Sequence, residues 1–481
     1  MPSPELIGRF ATSPKALRQQ APVLLLLFSL VFVGTLLQSH NSALPKSWQR
    51  VCRFSLSAGS FRWGLIGFWI LLSINSLWKV SSQGFDYPAH LEYIAYMTEH
   101  QIPPLATDGW QMFQTPLYYF VSSAWYKICA LFLNHELSER LLRIVPLLCG
   151  LAQIELCYSA LKEIFPQRND LQCLGMLLGG LLPMNLYMSQ NLGNEPLAGF
   201  FTAIAVVLGI RFLQDSSQAG SNRNHWLLGI VLGLAILTKV TAILLLAPLL
   251  VILAFSLHNK GCKPAAILAG CLRFLAGPFL ITGWYFLRNW IELGKPYLGG
   301  WDPARKIVWW QDPGYRIAEQ FTSFGESFIQ PIYAARHGFW DAMYSSFWLD
   351  GFLSGVADYD QRPPWNDSFL LCAPWLAILP TAAILLGGLA AIRHPHAKAR
   401  HGMLFALACI GIYFAAVLAL YLQLPIYSTA KATYTLGLIP CYAILGAAGF
   451  GLMMRNTFLR AAVYGGMACW ALFAYLAYFP L

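Results

Sequence analysis

The sequence predicts an all-α, polytopic membrane protein, a bundle of about 11–12 transmembrane helices with interfacial helices in its first external loop. Three observations predict it. Hydrophobic residues make up 57% of the 481 residues and charged residues only 11%, whereas a soluble domain carries roughly 25% charged residues. The apolar residues gather in runs close to the roughly 17–25 residues that cross a bilayer. Lys and Arg sit in short patches between those runs, where they orient helices and meet anionic headgroups. The formal net charge of +10 therefore points to membrane lipid, and argues against nucleic acid as a partner.

Residues 22–38 (PVLLLLFSLVFVGTLLQ) form the first apolar run, with Arg9, Lys15 and Arg18 before it. No small-x-small cleavage site follows closely, so the run reads as a retained helix. Both its flanks are basic, which leaves a span, an interfacial helix and a hairpin open. Runs at 62–79, 141–160, 173–190, 195–213, 226–238, 240–257, 264–284, 369–392, 402–424, 433–453 and 458–480 read as spans. The run 116–133 (PLYYFVSSAWYKICALFL) is apolar too, but it carries Lys127 and many aromatic residues.

Charge parity decides how that run is read. Basic loops fall at 46–62, 161–168, 211–223, 260–273, 393–400 and 455–460. If 116–133 lies along the membrane or re-enters, all six fall on one side, the cytoplasmic side by the positive-inside rule. If it spans, the later loops fall outside. The division that follows is an N-terminal segment 1–61 and a transmembrane core 62–284 with a first external loop 80–140. An external insert 285–368 follows, then C-terminal transmembrane helices 369–481. The insert holds Trp301, Trp309, Trp310, Trp340 and Trp348. Most of the eleven cysteines lie inside apolar runs and none forms a CxxC pair. They read as small apolar residues in packed helices, not as disulfides or metal ligands.

Ionisable groups at membrane depth cost about 2.5–3.5 kcal/mol or more, so each needs a reason. Asp86 stands in GFDYPAHLEYIAYM with His90 and Glu92 close by, at the start of a helical stretch. It is either a general base or metal-binding carboxylate, or a helix N-cap. Glu195 opens an apolar helix, where it is either a site carboxylate or a charge favourable to the helix dipole. Lys239 lies between two apolar runs, either snorkelling or holding an anionic lipid phosphate. Arg288 and Lys431, the latter with Tyr434, place cations at outer helix ends, where they could also be interface anchors. Carboxylates and cations on one membrane face suit transfer of a sugar from a lipid phosphate. A carboxylate orients the acceptor nucleophile and cations hold the leaving phosphate.

At these residues the chain resembles the polytopic GT-C glycosyltransferases, nearest to the branch holding protein O-mannosyltransferases and lipid A aminoarabinose transferases. The resemblance runs in order through FDYPAHLEYIAYM, QTPLYYFVSSAWY, ERLLRIVPLLCG, NEPLAGFF, GLAILTKVTA, WYFLRN with GKP, and KATYTLGLIP. It implies a GT-C-like bundle in the cell envelope, in the bacterial inner membrane. It also implies inverting transfer of a hexose or pentose from a polyprenyl-phosphate sugar to a glycan, lipid or protein acceptor. The active site would lie on the periplasmic or lumenal side. Asp86 would match the first-loop catalytic carboxylate and Glu195 the second acidic position. Lys239, Arg288 and Lys431 would match cations near the lipid phosphate, while His90, Glu92 and Tyr434 would line the substrate site. The sequence departs from the pattern at Tyr87, where Glu is frequent, and at Gln114-Thr115, where Glu-Lys is frequent. Some relatives use that Glu in a metal site, so no cofactor is assigned, no metal ligand is named and a divalent metal stays open. A transporter or flippase of an anionic lipid-linked sugar is the competing function, but no internal repeat of the kind transporters show is visible. An inactive assembly subunit on the same fold is a third reading.

Overall fold

The computed structural model describes residues 4–39, 57–80, 84–214, 222–300, 302, 304, 317–356, 360–424 and 426–480. Trp301, Trp309, Trp310, Lys46, Arg50 and Arg53 lie outside the described residues. Among the described residues the elements are helices, with no strand.

Nine helical segments there are long and apolar enough to cross a membrane, and a tenth forms if Asn169–Gly180 and Pro183–Ser189 count as one bent span. That pair turns by 43° at Pro183, which lacks a backbone N–H and disfavours helical geometry in the residue before it. Two further expected spans form helices outside that set. Arg223–Thr238 is short. Ala58–Lys79 has 22 residues, but its polar residues dilute its apolar character. The helices thus match the expected runs, while fewer meet the length-and-apolarity test than the 11–12 expected. The run 116–133 becomes a helix of 14 residues, Leu117–Ala130, which at about 1.5 Å per residue is too short to cross about 30 Å of hydrocarbon.

The N-terminal run becomes one helix, Ser13–Ser39, of 27 residues. It runs antiparallel to the last helix, Thr457–Ala477. Phe32 meets Phe458 edge to face, the Leu24 carbonyl faces Cys469, and Phe28 fills the space beside Gly465. The helix begins at the end of the bundle that carries the insert, where Ser13 N–H donates to the Ile329 carbonyl at 2.9 Å. It stays peripheral, 6% buried, whereas Tyr427–Met453 is 83% buried and forms the centre. Glycines let the central helix approach its neighbour backbone to backbone. A Cβ on Gly387 would lie 1.8 Å from the Leu445 carbonyl oxygen, and one on Gly449 as close to that of Ala383.

Charge sorts the two ends of the bundle. Arg62 pairs with Glu155 at 3.1 Å and Arg211 with Glu163 at 3.6 Å. Lys398 donates to the Gln214 carbonyl at 3.2 Å. The basic loops near 62, 163, 211 and 398 therefore meet at one end. The opposite end carries the insert and the polar residues singled out above. The span expected to stop at 284 continues as Pro264–Leu293 until Gly294, at φ 71°, ends it. Arg288 thus sits in the last turns of this helix.

Candidate active site

Asp86 begins the helix Tyr87–His100 but does not cap it. Its backbone is left-handed (φ 55°, ψ 28°) and its side chain makes no cap hydrogen bond. A non-glycine residue there costs about 1–2 kcal/mol, a strain of the kind that gathers at functional sites. The exposed carboxylate instead accepts the indole N–H of Trp110, Nε1 to Oδ1 at 3.3 Å. The structure therefore shows no side-chain cap at this helix start.

Trp110 belongs to the loop 101–116, which three side chains hold. Arg288 donates to the carbonyls of Pro103 at 2.8 Å and Pro104 at 3.1 Å. The hydroxyls of Tyr93 and Tyr285 both donate to the Gln114 carbonyl at 3.3 Å. Arg288 thus reaches Asp86 through a loop.

His90 lies one turn after Asp86 and is buried. Its Nδ1 is 2.8 Å from the Tyr119 hydroxyl, and Tyr119 stacks on Tyr93 at 3.6 Å between ring centroids. This stack joins Tyr87–His100 to the short surface helix. Burial lowers the imidazole pKa, while Glu195 and Asp86 pull it up and Lys239 lowers it. Burial likewise pushes the Tyr119 hydroxyl well up. Glu92 is exposed, and at i, i+2 spacing it faces away from His90. Among the described residues no three His, Cys, Asp or Glu side chains are grouped to hold a metal. Glu92 is turned away, and the described residues around Asp86 form no such group.

Glu195 and Lys239 form a direct ion pair between the starts of two helices. Asn194, fully buried, fixes both sides. Its amide donates to Gln114 Oε1 at 3.1 Å and to the Thr238 carbonyl at 3.3 Å. A Cβ on Gly193 would stand 3.0 Å from Glu195 Oε2 and 3.7 Å from His90 Nε2, so glycine lets these two groups share one corner. Lys239 and Lys431 occupy matching positions. Each is extended, each precedes a 3₁₀ turn, and each opens a Lys-x-Thr sequence. Their threonines, with Glu195, Lys239 and Tyr434, line a cavity of about 20 Å³, room for roughly one water. The Lys239 ammonium lies 5.2 Å from the Tyr434 ring centre. That of Lys431 lies 4.0 Å from Phe85 and 5.7 Å from Phe352.

The structure thus brings Asp86, His90, Glu195, Lys239, Lys431 and Tyr434 together, places Arg288 behind them, and leaves Glu92 outside. It adds Trp110, Asn194, Phe85, Phe352 and the buried Asp350, whose carboxyl burial pushes up. Asn194 adjoins Glu195 in sequence, and Phe85 adjoins Asp86. The others carry no local signal, because their role depends on loops distant in the chain.

Comparison with known proteins matches part of this arrangement. A family model described as dolichyl-phosphate-mannose-protein mannosyltransferase matches residues 114–281. That stretch holds Glu195 and Lys239 and leaves Asp86, Arg288 and Lys431 outside it. The match agrees with the resemblance read from the sequence. No relative among curated proteins matches. The chain is similar to the apo structure of ArnT from Cupriavidus metallidurans, with 14% identity and a TM-score of 0.48 over 87% of this chain and 75% of that one. It is also similar to the apo oligosaccharyltransferase of Archaeoglobus fulgidus, with 13% identity and a TM-score of 0.49 over 87% of this chain and 56% of that one. Arabinosyltransferase EmbB from Mycobacterium smegmatis follows at 15% identity and a TM-score of 0.42, over 85% of this chain and 31% of that one.

Proposed function

We propose that this chain is a membrane glycosyltransferase that moves a sugar from a polyprenyl-phosphate donor to an acceptor hydroxyl or amide at the extracytoplasmic membrane surface. The observation that carries this reading is that the Lys431 ammonium lies 4.0 Å from the ring of Phe85, the residue next to Asp86. An exposed carboxylate held by Trp110 thus adjoins, in the chain, one of the two phenylalanines that lie against that ammonium. The acceptor attacks the anomeric carbon as the bond from that carbon to the phosphate oxygen breaks. Asp86 takes the acceptor proton, and the polyprenyl phosphate leaves with the bond electrons.

The cations serve the departing phosphate. Lys431, set against Phe85 and Phe352, would take this role. Lys239 shares its charge with Glu195, and Arg288 stabilises the loop that carries Trp110. One well-placed donor to a developing anion is worth about 10²–10³ in rate. Attack opposite the leaving phosphate would invert the sugar's configuration. Crystals of ArnT from Cupriavidus metallidurans hold undecaprenyl phosphate, and a structure of AglB from Archaeoglobus fulgidus holds dolichol-phosphate and an inhibitory peptide. These support a lipid-phosphate donor here. The placement of the basic loops at the opposite end supports an extracytoplasmic site.

The test is release of polyprenyl phosphate from a panel of undecaprenyl-phosphate hexoses and pentoses, supplied with a panel of glycan, lipid and peptide acceptors, by the purified chain in lipid vesicles. Release that requires Asp86 supports the reading. Movement of the lipid across the bilayer without release would replace it with transport.

A further inference from the structure

We propose that Asp350 and Ser354 are positioning residues. They dock the external insert onto the two loops that carry Asp86 and Glu195, and so set Phe352 beside the Lys431 ammonium. The consequence for Lys431 rests on the phosphate-binding reading above, whereas the docking does not.

Asp350 is 1% exposed, and its carboxylate folds the next turn of chain around itself. Oδ1 accepts the Ser354 N–H at 2.8 Å and Oδ2 accepts the Ser354 hydroxyl at 2.7 Å. The Trp365 indole donates to Oδ2 at 2.9 Å. These bonds hold three consecutive left-handed residues, Leu353 at φ 47°, Ser354 at φ 54° and Gly355 at φ 85°. Only the glycine is suited to that region, so a buried carboxylate with three donors has a reason to be there.

The turn it builds touches both site loops. The Ser354 hydroxyl gives its proton to Asp350 and accepts the Asn191 amide at 2.7 Å. Asn191 stands four residues before Glu195. A Cβ on Gly84 would meet the Asn191 Cβ at 3.1 Å and the Leu192 carbonyl oxygen at 3.0 Å. The chain two residues before Asp86 is therefore pressed onto the segment leading to Glu195. From the other side, a Cβ on Gly355 would lie 3.0 Å from Phe85. Phe85 and Phe352 pack at 6.0 Å between ring centroids, and both lie against Lys431. Another buried carboxylate of the insert, Asp341, accepts hydrogen bonds from the backbone of residues 325–327 and the Ser327 hydroxyl. These bonds stay within the insert, which makes Asp341 a matched control.

The experiment uses the full chain in detergent, comparing wild type with Asp350→Asn, Ser354→Ala, Asn191→Ala and Asp341→Asn. Without ligand, hydrogen exchange in peptides covering 84–92 and 190–196 is expected to rise at least tenfold in the first three variants. In Asp341→Asn it is expected to rise only near 325–328. With undecaprenyl phosphate as probe, affinity is expected to fall about tenfold in Ser354→Ala and Asp350→Asn, with the double variant no worse than the weaker single. Asp341→Asn should lose melting temperature without losing affinity. Unchanged exchange at 84–92 and 190–196 in all three variants would overturn the docking, and equal loss of affinity in Asp341→Asn would overturn the consequence for Lys431. A wild type that binds no undecaprenyl phosphate, with the exchange pattern intact, would contradict the glycosyltransferase reading and leave the docking standing.

Discussion

The indole N–H of Trp110 points at Asp86 Oδ1 across 3.3 Å, so a residue of the 101–116 loop orients the carboxylate assigned to the acceptor. A hydrogen bond to a charged group contributes about 1.5–3 kcal/mol, and Asp86 is exposed, which favours the lower end. Trp110→Phe keeps the ring and removes the donor. It should lower kcat about tenfold with donor KM little changed, as steady-state kinetics would show. Equal losses in binding and turnover would mean that Trp110 acts on the fold.

Arg288 should act through the same loop. Its two donors to Pro103 and Pro104 use the planar fork of the guanidinium, which the ammonium of lysine does not supply. Arg288→Lys is expected to expose 101–116 to limited proteolysis and to lower turnover by as much as Trp110→Phe. The two changes combined should cost little more than either alone. Loss of donor affinity with an intact loop would instead make Arg288 a direct phosphate ligand.

The Glu195–Lys239 pair has side-chain exposures of 16% and 10%. Removing one member of a buried pair strands the other, at about 3–5 kcal/mol when burial is complete. Glu195→Gln should destabilise the protein by about 2–3 kcal/mol, and adding Lys239→Met should recover part of the loss. Melting in detergent would read this. Additive losses would show that the two charges are not coupled.

The folded state lowers the His90 pKa through burial, so the unfolded chain takes up the proton more readily. The stability this group contributes is full above its unfolded value of about 6.5 and is lost as pH falls through that range. Wild type should therefore lose melting temperature between pH 7.5 and 5. His90→Gln should start lower, having lost the Tyr119 contact, and fall less over the same range. Parallel profiles would contradict the burial argument.

The fold was legible in the sequence where physics acts locally. Span length and apolar runs located the helices, and charge parity marked 116–133 as the run that does not cross. Parity could not place Ser13–Ser39, because both its flanks are basic and its direction is set by packing along Thr457–Ala477. Asp86, Glu195, Lys239 and Lys431 were visible as expensive charges at helix ends. Glu92 was drawn in by proximity in sequence, which on a helix puts i and i+2 on opposite faces. Arg288 was visible as a cation, but its carbonyl partners lie 184 and 185 residues away. Trp110, Asp350 and Ser354 sit in loops with no periodicity, and their partners come from other parts of the chain.

The central claim is that Asp86 receives the acceptor proton while the cations hold the lipid phosphate, and Asp86→Asn tests it most directly. That change keeps the shape of the side chain and removes the base. Undecaprenyl-phosphate affinity and single-turnover release from a productive undecaprenyl-phosphate sugar in the presence of its acceptor would be measured on the same purified protein. The account predicts affinity within about threefold of wild type and release slowed by about 10²–10⁴. Release at the wild-type rate by Asp86→Asn would contradict it.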